Sequence, residues 1–215
     1  PDSSRLSAER NAMARVNEMK GSEPTRRLAH VWDESLCIAC GACVMACTMT
    51  NQPEMMHRKE KGWDSVASNI RRIDGVNATG KPSVLLVQCQ HCDDAPCVAN
   101  CPFGAVYRDD DGLVRLDAEQ CAGCSYCVTS CPYNVRWFHP DSKLPMKCMG
   151  EGCLDLVAQG ESPACVQACP AMARDFGDLN DPASSVSLTL RTKRSRRLLE
   201  GSGTEPKYFV VEGGL

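Results

Sequence analysis

The sequence has 215 residues, with 24 Lys and Arg against 27 Asp and Glu, and a formal net charge of −3. It contains 16 cysteines but only 4 Phe, 3 Trp and 4 Tyr, so few bulky aromatic side chains are available to fill a core. This length allows one or two domains. The slightly acidic charge and the scarce aromatic residues argue against nucleic acid as a partner. No segment has the run of about eighteen apolar residues that is needed to cross a membrane.

Local patterns predict a small number of secondary-structure elements. Residues 3–20 carry apolar side chains at helical spacing, which predicts an amphipathic helix. Residues 55–80 are polar and show no strong periodicity, so we expect an irregular excursion. The apolar run 83–87 predicts a strand, and residues 105–116 predict a hairpin because two alternating segments flank an acidic turn with a glycine. Residues 207–211 predict a further short strand.

The cysteines fall into four runs of four, and two of these runs share the spacing C-x2-C-x2-C-x3-C. This spacing is typical of bacterial iron–sulfur proteins, in which three closely spaced thiolates hold one cubane cluster and the fourth binds a neighbouring cluster. Run one consists of Cys37, Cys40, Cys43 and Cys47, and run three of Cys121, Cys124, Cys127 and Cys131.

The other two runs are spread more widely but end in the same C-x3-C-P motif as run three. Sixteen cysteines at four ligands per cluster predict four [4Fe–4S] clusters with no cysteine left over. Four oxidised clusters add about −2 each relative to neutral thiols, so the loaded protein would carry a net charge of about −11. Run two consists of Cys89, Cys92, Cys97 and Cys101, and run four of Cys148, Cys153, Cys165 and Cys169.

Disulfides and zinc are the competing interpretations of the cysteines. Cysteines spaced as in C-x2-C-x2-C are too close for easy bridging, and a chain of this length does not need so many disulfides. Tetrahedral zinc sites normally place a longer gap between paired knuckles. Free buried cysteines would leave the repeated spacing unexplained.

Beyond the cysteines, four further motifs are specific in combination: the segment CQHCDDAPC at 89–97, the pair Lys147-Cys148, the segment GDLNDP at 177–182, and residues 197–209. With these motifs, residues 28 to 213 resemble the four-cluster, ferredoxin-like iron–sulfur subunits of molybdopterin oxidoreductase complexes. Subunits of this kind serve polysulfide, dimethyl sulfoxide and tetrathionate reductases, the membrane-linked nitrite reductase system and the menaquinone reductase complex.

The resemblance implies an α+β fold made of two fused ferredoxin-like modules with long terminal extensions. Residues 28–80 and 133–190 would form the module that holds runs one and four. Residues 81–132 would form the module that holds runs two and three. Residues 1–27 would be a helical N-terminal extension, and residues 191–215 a C-terminal extension.

The resemblance also implies that each run lends its last cysteine to its partner run. Four residues separate Cys148 from Cys153, where the family usually has two. We therefore expect a labile or [3Fe–4S] cluster there, unless Gly150 and Gly152 fold the insertion outwards. The four implied ligand sets are Cys37, Cys40, Cys43 and Cys169; Cys148, Cys153, Cys165 and Cys47; Cys89, Cys92, Cys97 and Cys131; and Cys121, Cys124, Cys127 and Cys101.

Three other features allow two readings each. His91 lies between ligands and either donates a hydrogen bond to a cluster sulfur or only orders its loop. Lys147 and Arg136 either balance thiolate charge or are solvated surface residues. The basic residues within 191–197 form either a solvated face or a docking patch for a partner or lipid headgroups.

No nucleotide fingerprint or catalytic triad is found in the sequence, so we expect an electron-transfer subunit rather than an enzyme. The resemblance implies a molybdopterin-type large subunit beside runs one and four. It implies a polytopic quinone-interacting membrane subunit, or a multihaem cytochrome, beyond runs two and three. The complex would lie peripherally on a membrane, more often on the periplasmic face, with the cytoplasmic face as the alternative. Any signal peptide is expected to be absent or removed. The alternatives are a free, diffusible ferredoxin-like carrier and a metal-stabilised module without a redox role.

Overall fold

The computed structural model describes residues 24–57, 68–76 and 82–213. The helix predicted at residues 3–20 lies outside these ranges. In chain order the strands are β1 (Leu28–Asp33), β2 (Ile70–Val76), β3 (Pro82–Gln88), β4 (Val106–Arg108), β5 (Val114–Leu116), β6 (Trp137–Phe138), β7 (Pro145–Met146), β8 (Arg174–Asp178), β9 (Ser195–Arg197) and β10 (Tyr208–Val211). The helices are α1 (Ala42–Asn51), α2 (Pro96–Ala99), α3 (Tyr126–Thr129), α4 (Glu151–Ala158), α5 (Ala164–Gln167) and α6 (Ser185–Thr192), with short 3-10 helices at Pro53–His57 and Glu200–Ser202.

The largest sheet of the described residues has four strands in the order β8-β1-β10-β9. Strand β1 runs parallel to β10 and antiparallel to β8. All six residues of β1 are buried, which indicates that both faces of the sheet are covered. Because side chains alternate along a strand, Ala29 and Val31 pack with Val186 of α6, whereas Trp32 faces the cysteines together with Tyr208.

Short helices pair the cysteine runs in space. Helix α1, which carries the end of run one, packs against α4 and α5, which carry part of run four. Helix α2 of run two packs against α3 of run three. The fold thus brings together the runs that the resemblance had paired, and the mixture of helices and sheets confirms the α+β class.

The structure tests the predicted strands one by one. The strand at 83–87 is confirmed as β3, and the strand at 207–211 as β10. The hairpin is confirmed as β4 and β5, whose turn is closed by Asp109 Oδ1 accepting hydrogen bonds from the backbone N–H groups of Asp111 and Leu113. The irregular excursion at 55–80 was wrong in part, because β2 pairs with β3 along its whole length. Six of the seven residues of β2 are exposed, so the strand lacks the apolar alternation that would have announced it.

The segment predicted as a C-terminal extension contributes β9 and β10 to the central sheet. Four of the five basic residues within 191–197 pair with acidic residues of the same chain, and the fifth, Arg191, donates to the backbone oxygen of Pro182. Lys193 contacts Asp33 at 2.7 Å, and Arg196 contacts Glu34 at 2.8 Å. In the described part of the chain, no helix combines the length and the apolar character needed to span a membrane.

Candidate metal centres

The 16 cysteines are all free thiols, and their exposure varies with position. Only Cys40 and Cys124 are exposed, and they occupy equivalent second positions in runs one and three. In run four, Cys148, Cys153 and Cys165 are buried, and Cys169 is of intermediate exposure. So many unpaired, buried thiols in one interior are unusual for a protein of this size, and each would be available to bind a soft metal.

The cysteine sulfurs of run two and run three lie close to one another. Burial raises the pKa of Cys92 to about 12, and negative charge on Cys89, Cys97 and Cys131 adds to this rise, which the hydrogen bond with Thr204 opposes. Likewise, burial raises the pKa of Cys127, with further increases from Cys97, Cys101 and Cys121. The last cysteine of each of these two runs therefore lies among the first cysteines of the other.

Runs one and four show the same exchange. The pKa of Cys47 is raised to about 11, mainly by burial; hydrogen bonds with Ser68 and Asn69 oppose this rise, and negative charge on Cys165 and Cys153 contributes to it. The Nδ2 atom of Asn51 lies 3.3 Å from Cys153 Sγ and 3.7 Å from Cys47 Sγ, so a single amide group contacts sulfurs of both runs. The Oδ1 atom of Asn51 also accepts a hydrogen bond from the backbone N–H of Cys153 at 3.1 Å.

The inserted loop before Cys153 is packed inwards. A Cβ atom at Gly152 would lie 2.2 Å from the backbone oxygen of Thr50, and one at Gly150 would lie 2.6 Å from Asn51 Oδ1. Met149 is only 5% exposed. The alternative that the glycines fold the insertion outwards is therefore wrong, because both glycines allow close approach to the end of α1. The labile or [3Fe–4S] cluster at this site stays a prediction.

Three buried cations lie among the thiols. Arg136 and Lys147, which the sequence left as either charge-balancing or solvated, are each 5% exposed, so the solvated reading is wrong. Arg136 Nη2 donates to Cys97 Sγ at 3.3 Å, and Lys147 Nζ donates to the backbone oxygens of Val114 and of Cys148, the latter at 3.1 Å.

The third cation, Arg174, which is also 5% exposed, was missed from the sequence. It donates a hydrogen bond to Gln88 Oε1, and the Nε2 atom of Gln88 lies 3.5 Å from Cys148 Sγ. The C-x3-C-P motif could have drawn attention to Arg174, because three residues separate it from the proline of run four, and Arg136 holds the same position after the proline of run three.

His91 orders its loop and keeps one ring nitrogen free. Its Nδ1 atom accepts a hydrogen bond from the backbone N–H of Val114 at 2.9 Å, so Nε2 carries the proton. Burial lowers the pKa of His91, with nearby cations lowering it further. Among the described residues Nε2 has no partner, and the same holds for Arg136 Nη1 and for Arg174 Nε and Nη1.

These unpaired donors provide a test of whether an iron–sulfur cluster fits. Buried N–H groups without partners are rare in folded proteins, and cluster sulfides accept such hydrogen bonds. Across residues 24–57, 68–76 and 82–213, no three Cys, His, Asp or Glu side chains converge closely enough to hold a single metal ion, so a compact zinc site is not found there. Grouped thiols around buried donors fit a larger cluster with several irons.

Fold and thiol grouping together define a ferredoxin-like protein for iron–sulfur clusters. Two family models, both described as a 4Fe-4S dicluster domain, match residues 83–179 and 36–105. The two matches and the 16 cysteines support four [4Fe–4S] clusters.

Curated relatives cover most of the chain. It is 38% identical over 195 residues to a polysulfide reductase subunit of Wolinella succinogenes, a match that covers 88% of this chain and 98% of the relative. It is 42% identical over 189 residues to protein NrfC of Escherichia coli, covering 86% and 80% respectively. It is 41% identical over 160 residues to the thiosulfate reductase electron transfer subunit of Salmonella typhi, covering 73% and 79%. The chain therefore belongs to the family of ferredoxin-like iron–sulfur electron-transfer subunits of reductases.

Proposed function

We propose that this chain conducts single electrons through four cluster sites arranged in a row. The proposed sites are A (Cys37, Cys40, Cys43, Cys169), B (Cys148, Cys153, Cys165, Cys47), C (Cys89, Cys92, Cys97, Cys131) and D (Cys121, Cys124, Cys127, Cys101). Electrostatic effects between the thiols support these sets. Negative charge on Cys37 and Cys169 raises the pKa of Cys43, and negative charge on Cys47 and Cys153 raises the pKa of Cys148.

The order of the sites is inferred from packing and from electrostatic effects between the sets. Cys148 and Cys153 of site B pack in one buried cluster with cysteines of site C, and Cys47 and Cys165 of site B pack in another with Cys43 of site A. Negative charge on Cys165 of site B raises the pKa of Cys43 of site A. Negative charge on Cys89 of site C raises the pKa of Cys148 of site B. Negative charge on Cys97 of site C raises the pKa of Cys127 of site D. These three links support the linear order A, B, C, D.

One observation carries the proposal: the row is exposed at its two ends and buried in its middle. Sites A and D each contain one exposed, two intermediate and one buried cysteine. Site B contains four buried cysteines, and site C three buried and one intermediate. [4Fe–4S] clusters in these sites would supply one-electron carriers, with the buried surroundings helping to set their potentials. The protein's part is to hold the thiolates, to exclude water from the middle and to leave both ends open to a partner.

The exposed ends carry apolar side chains that suit docking. Near site A, Ile38 is 65% exposed and Met172 is 82% exposed. Near site D, Tyr126 is 58% exposed. Such residues at both ends favour a subunit held between two partners over a free, diffusible carrier, because large exposed apolar groups that cluster around a site mark interaction surfaces.

We extend the proposal to those partners. Site A would face a molybdopterin-type large subunit, and site D a quinone-interacting membrane subunit or a multihaem cytochrome. The chain would then lie peripherally on a membrane, on its periplasmic face. Similarity to the polysulfide reductase subunit supports this placement within a reductase.

Metal analysis and ligand substitution test the proposal. Protein purified without air should contain about sixteen irons and about sixteen labile sulfides, from four [4Fe–4S] clusters. Zinc in place of iron, or no labile sulfide, would refute the redox function and leave a metal-stabilised structural module.

The proposed exchange of ligands between runs has its own test. Cys131→Ser should disturb the cluster of site C and spare that of site D, although Cys131 belongs to the run that supplies site D. Cys101→Ser is the matched variant and should do the opposite. Electron paramagnetic resonance (EPR) spectra with assigned clusters would reveal a wrong assignment if each substitution disturbed the site of its own run.

A further inference from the structure

The interior contains three cations that have no carboxylate partner. Arg136, Lys147 and Arg174 are each 5% exposed, and in the described part of the chain no Asp or Glu forms an ion pair with any of them. Lys207 shows the usual arrangement, because it is 1% exposed and its Nζ lies 2.7 Å from an Asp93 oxygen. A buried charge without a counter-charge is strongly unfavourable. The missing negative charge must therefore come from another group.

Cysteine sulfurs surround these cations, and as thiolate ligands of the proposed clusters they would supply the missing negative charge. Each cation lies between the cysteines of two neighbouring sites. Arg174 lines one cavity together with Cys37, Cys40, Cys43 and Cys169, the four cysteines of site A. On the side of site B, its hydrogen-bond partner Gln88 has its Nε2 atom 3.5 Å from Cys148 Sγ. This places Arg174 at the junction of sites A and B.

The second cation, Lys147, lies at the next junction. It precedes Cys148 of site B in the sequence and donates to the backbone oxygen of that residue at 3.1 Å. Its Nζ atom also donates to the backbone oxygen of Val114, which packs in one cluster of buried side chains with Cys89 and Cys97. Cys89 and Cys97 belong to site C, so Lys147 is shared by sites B and C.

The third cation, Arg136, completes the series. Its Nη2 atom lies 3.3 Å from Cys97 Sγ of site C. The adjacent residue Val135 packs in one cluster of buried side chains with Cys127 of site D. Each of the three junctions in the row thus contains one buried positive charge.

We propose that Arg174, Lys147 and Arg136 are positioning residues, each of which raises the reduction potentials of the two clusters on either side of its junction. The proposal rests on the linear order of sites given above. A positive charge in a dry interior stabilises the reduced, more negative form of a nearby cluster. Because each cation lies close to both neighbouring clusters, it raises both reduction potentials. The difference between the two potentials therefore changes less than either potential does. An electron that crosses a junction therefore stays near the same cation before and after the transfer.

Removal of one charge at a time tests this assignment in the complete protein with its clusters. The variants Arg174→Met, Lys147→Met and Arg136→Met remove the charge and keep a long side chain. We expect Arg174→Met to lower the potentials of sites A and B, Lys147→Met those of B and C, and Arg136→Met those of C and D. Each reduction equilibrium should shift by about tenfold or more, which is about 59 mV for one electron. Redox titrations followed by EPR measure all four potentials.

Two kinds of control separate charge from structure. Arg174→Lys, Lys147→Arg and Arg136→Lys keep the charge and should leave the potentials near the wild-type values. Arg194→Gln removes a cation that is 87% exposed and should leave them unchanged, because water screens its charge.

Several results would overturn the proposal. A variant that shifts only one cluster, or all four equally, contradicts the sharing of a cation at a junction. Loss of clusters in all three Met variants would assign the cations to cluster assembly instead. If one variant alone fails to assemble, the other two junctions decide. Wild-type protein that binds no iron and sulfide would refute the proposed function itself, which distinguishes that failure from unchanged potentials in loaded variants.

Discussion

The end sites and the middle sites are built from the same ligand type but in different surroundings. Sites A and D expose one cysteine each and adjoin exposed apolar residues such as Ile38 and Tyr126. Sites B and C are enclosed by glycine contacts, an amide and a network of buried charge. This contrast indicates that the ends are shaped for contact with other molecules and the middle for exclusion of water. Substitutions in the middle should therefore damage the protein far more than substitutions at the ends.

The largest effect is expected from Asp93→Asn beside site C. The Asp93 carboxylate contacts Lys207 at 2.7 Å and Arg27 at 2.5 Å. Removing its charge leaves the buried Lys207 uncompensated, which costs about 3–5 kcal/mol of unfolding free energy. Chemical denaturation measures this change. Asp111→Asn, which breaks the more exposed pair with Arg26, should cost less than about 1 kcal/mol.

This carboxylate also predicts a pH dependence. Burial would raise the pKa of Asp93, but hydrogen bonds from Lys207 and Arg27 outweigh burial and lower it. The stabilisation is therefore present above the unfolded pKa of about 3.9 and is lost as the pH falls through the lower folded pKa. Wild-type protein should lose stability more steeply than Asp93→Asn below about pH 4. Parallel pH profiles of the two proteins would contradict this assignment.

A somewhat smaller effect is expected from Gly152→Ala at site B. Its new Cβ would lie 2.2 Å from the backbone oxygen of Thr50, so α1 and α4 must separate. Overpacking of this kind costs about 3 kcal/mol, and thermal unfolding and iron content should both fall. Gly201→Ala is the control, because no heavy atom lies within 4 Å of the position that its new methyl group would take. Equal stability of the two variants would show that the loop before Cys153 can yield.

An intermediate effect is expected from Asn51→Ala, which removes the amide shared by Cys47 and Cys153. Loss of such supporting hydrogen bonds typically lowers metal affinity by about 10–100-fold. Competition with an iron chelator should show faster loss of the cluster in site B than in the other sites. Asn100→Ala removes an exposed amide that contacts only the backbone oxygen of Pro96 and should leave all four clusters unaffected.

The smallest effect on stability is expected at the end of the row. Met172 is 82% exposed, so Met172→Ser should change the unfolding free energy by no more than about 0.5 kcal/mol. The same substitution should weaken recovery of the chain with its partner subunit, because the apolar contact at site A is lost. A large loss of stability would mean that the end site is as tightly packed as the middle.

The parts of the molecule that depend on local sequence patterns could be predicted from the sequence. The cysteine spacing, the hairpin around Gly112 and the strands near Leu86 and Val210 follow local rules that single segments obey. The supporting residues follow such rules only in part. Arg174 could be inferred by analogy with Arg136, which holds the same position after a C-x3-C-P motif. Asn51 lies one helical turn after Cys47, but only the approach of a distant segment places it beside Cys153. Strand β2 escaped prediction for a related reason, because its pairing with β3 stabilises it rather than an apolar face.

The position of β10 has a consequence for the synthesis of the protein. This strand lies in the middle of the sheet, between β1 and β9, yet it is the last strand of the described residues. While the ribosome is still making the preceding segments, β1 lacks its parallel neighbour and one edge of it stays open. Pairings between such distant segments form slowly and leave unprotected edges in the meantime. The sheet behind the cysteines can therefore close only after β10 has emerged, so its completion follows the synthesis of all four cysteine runs.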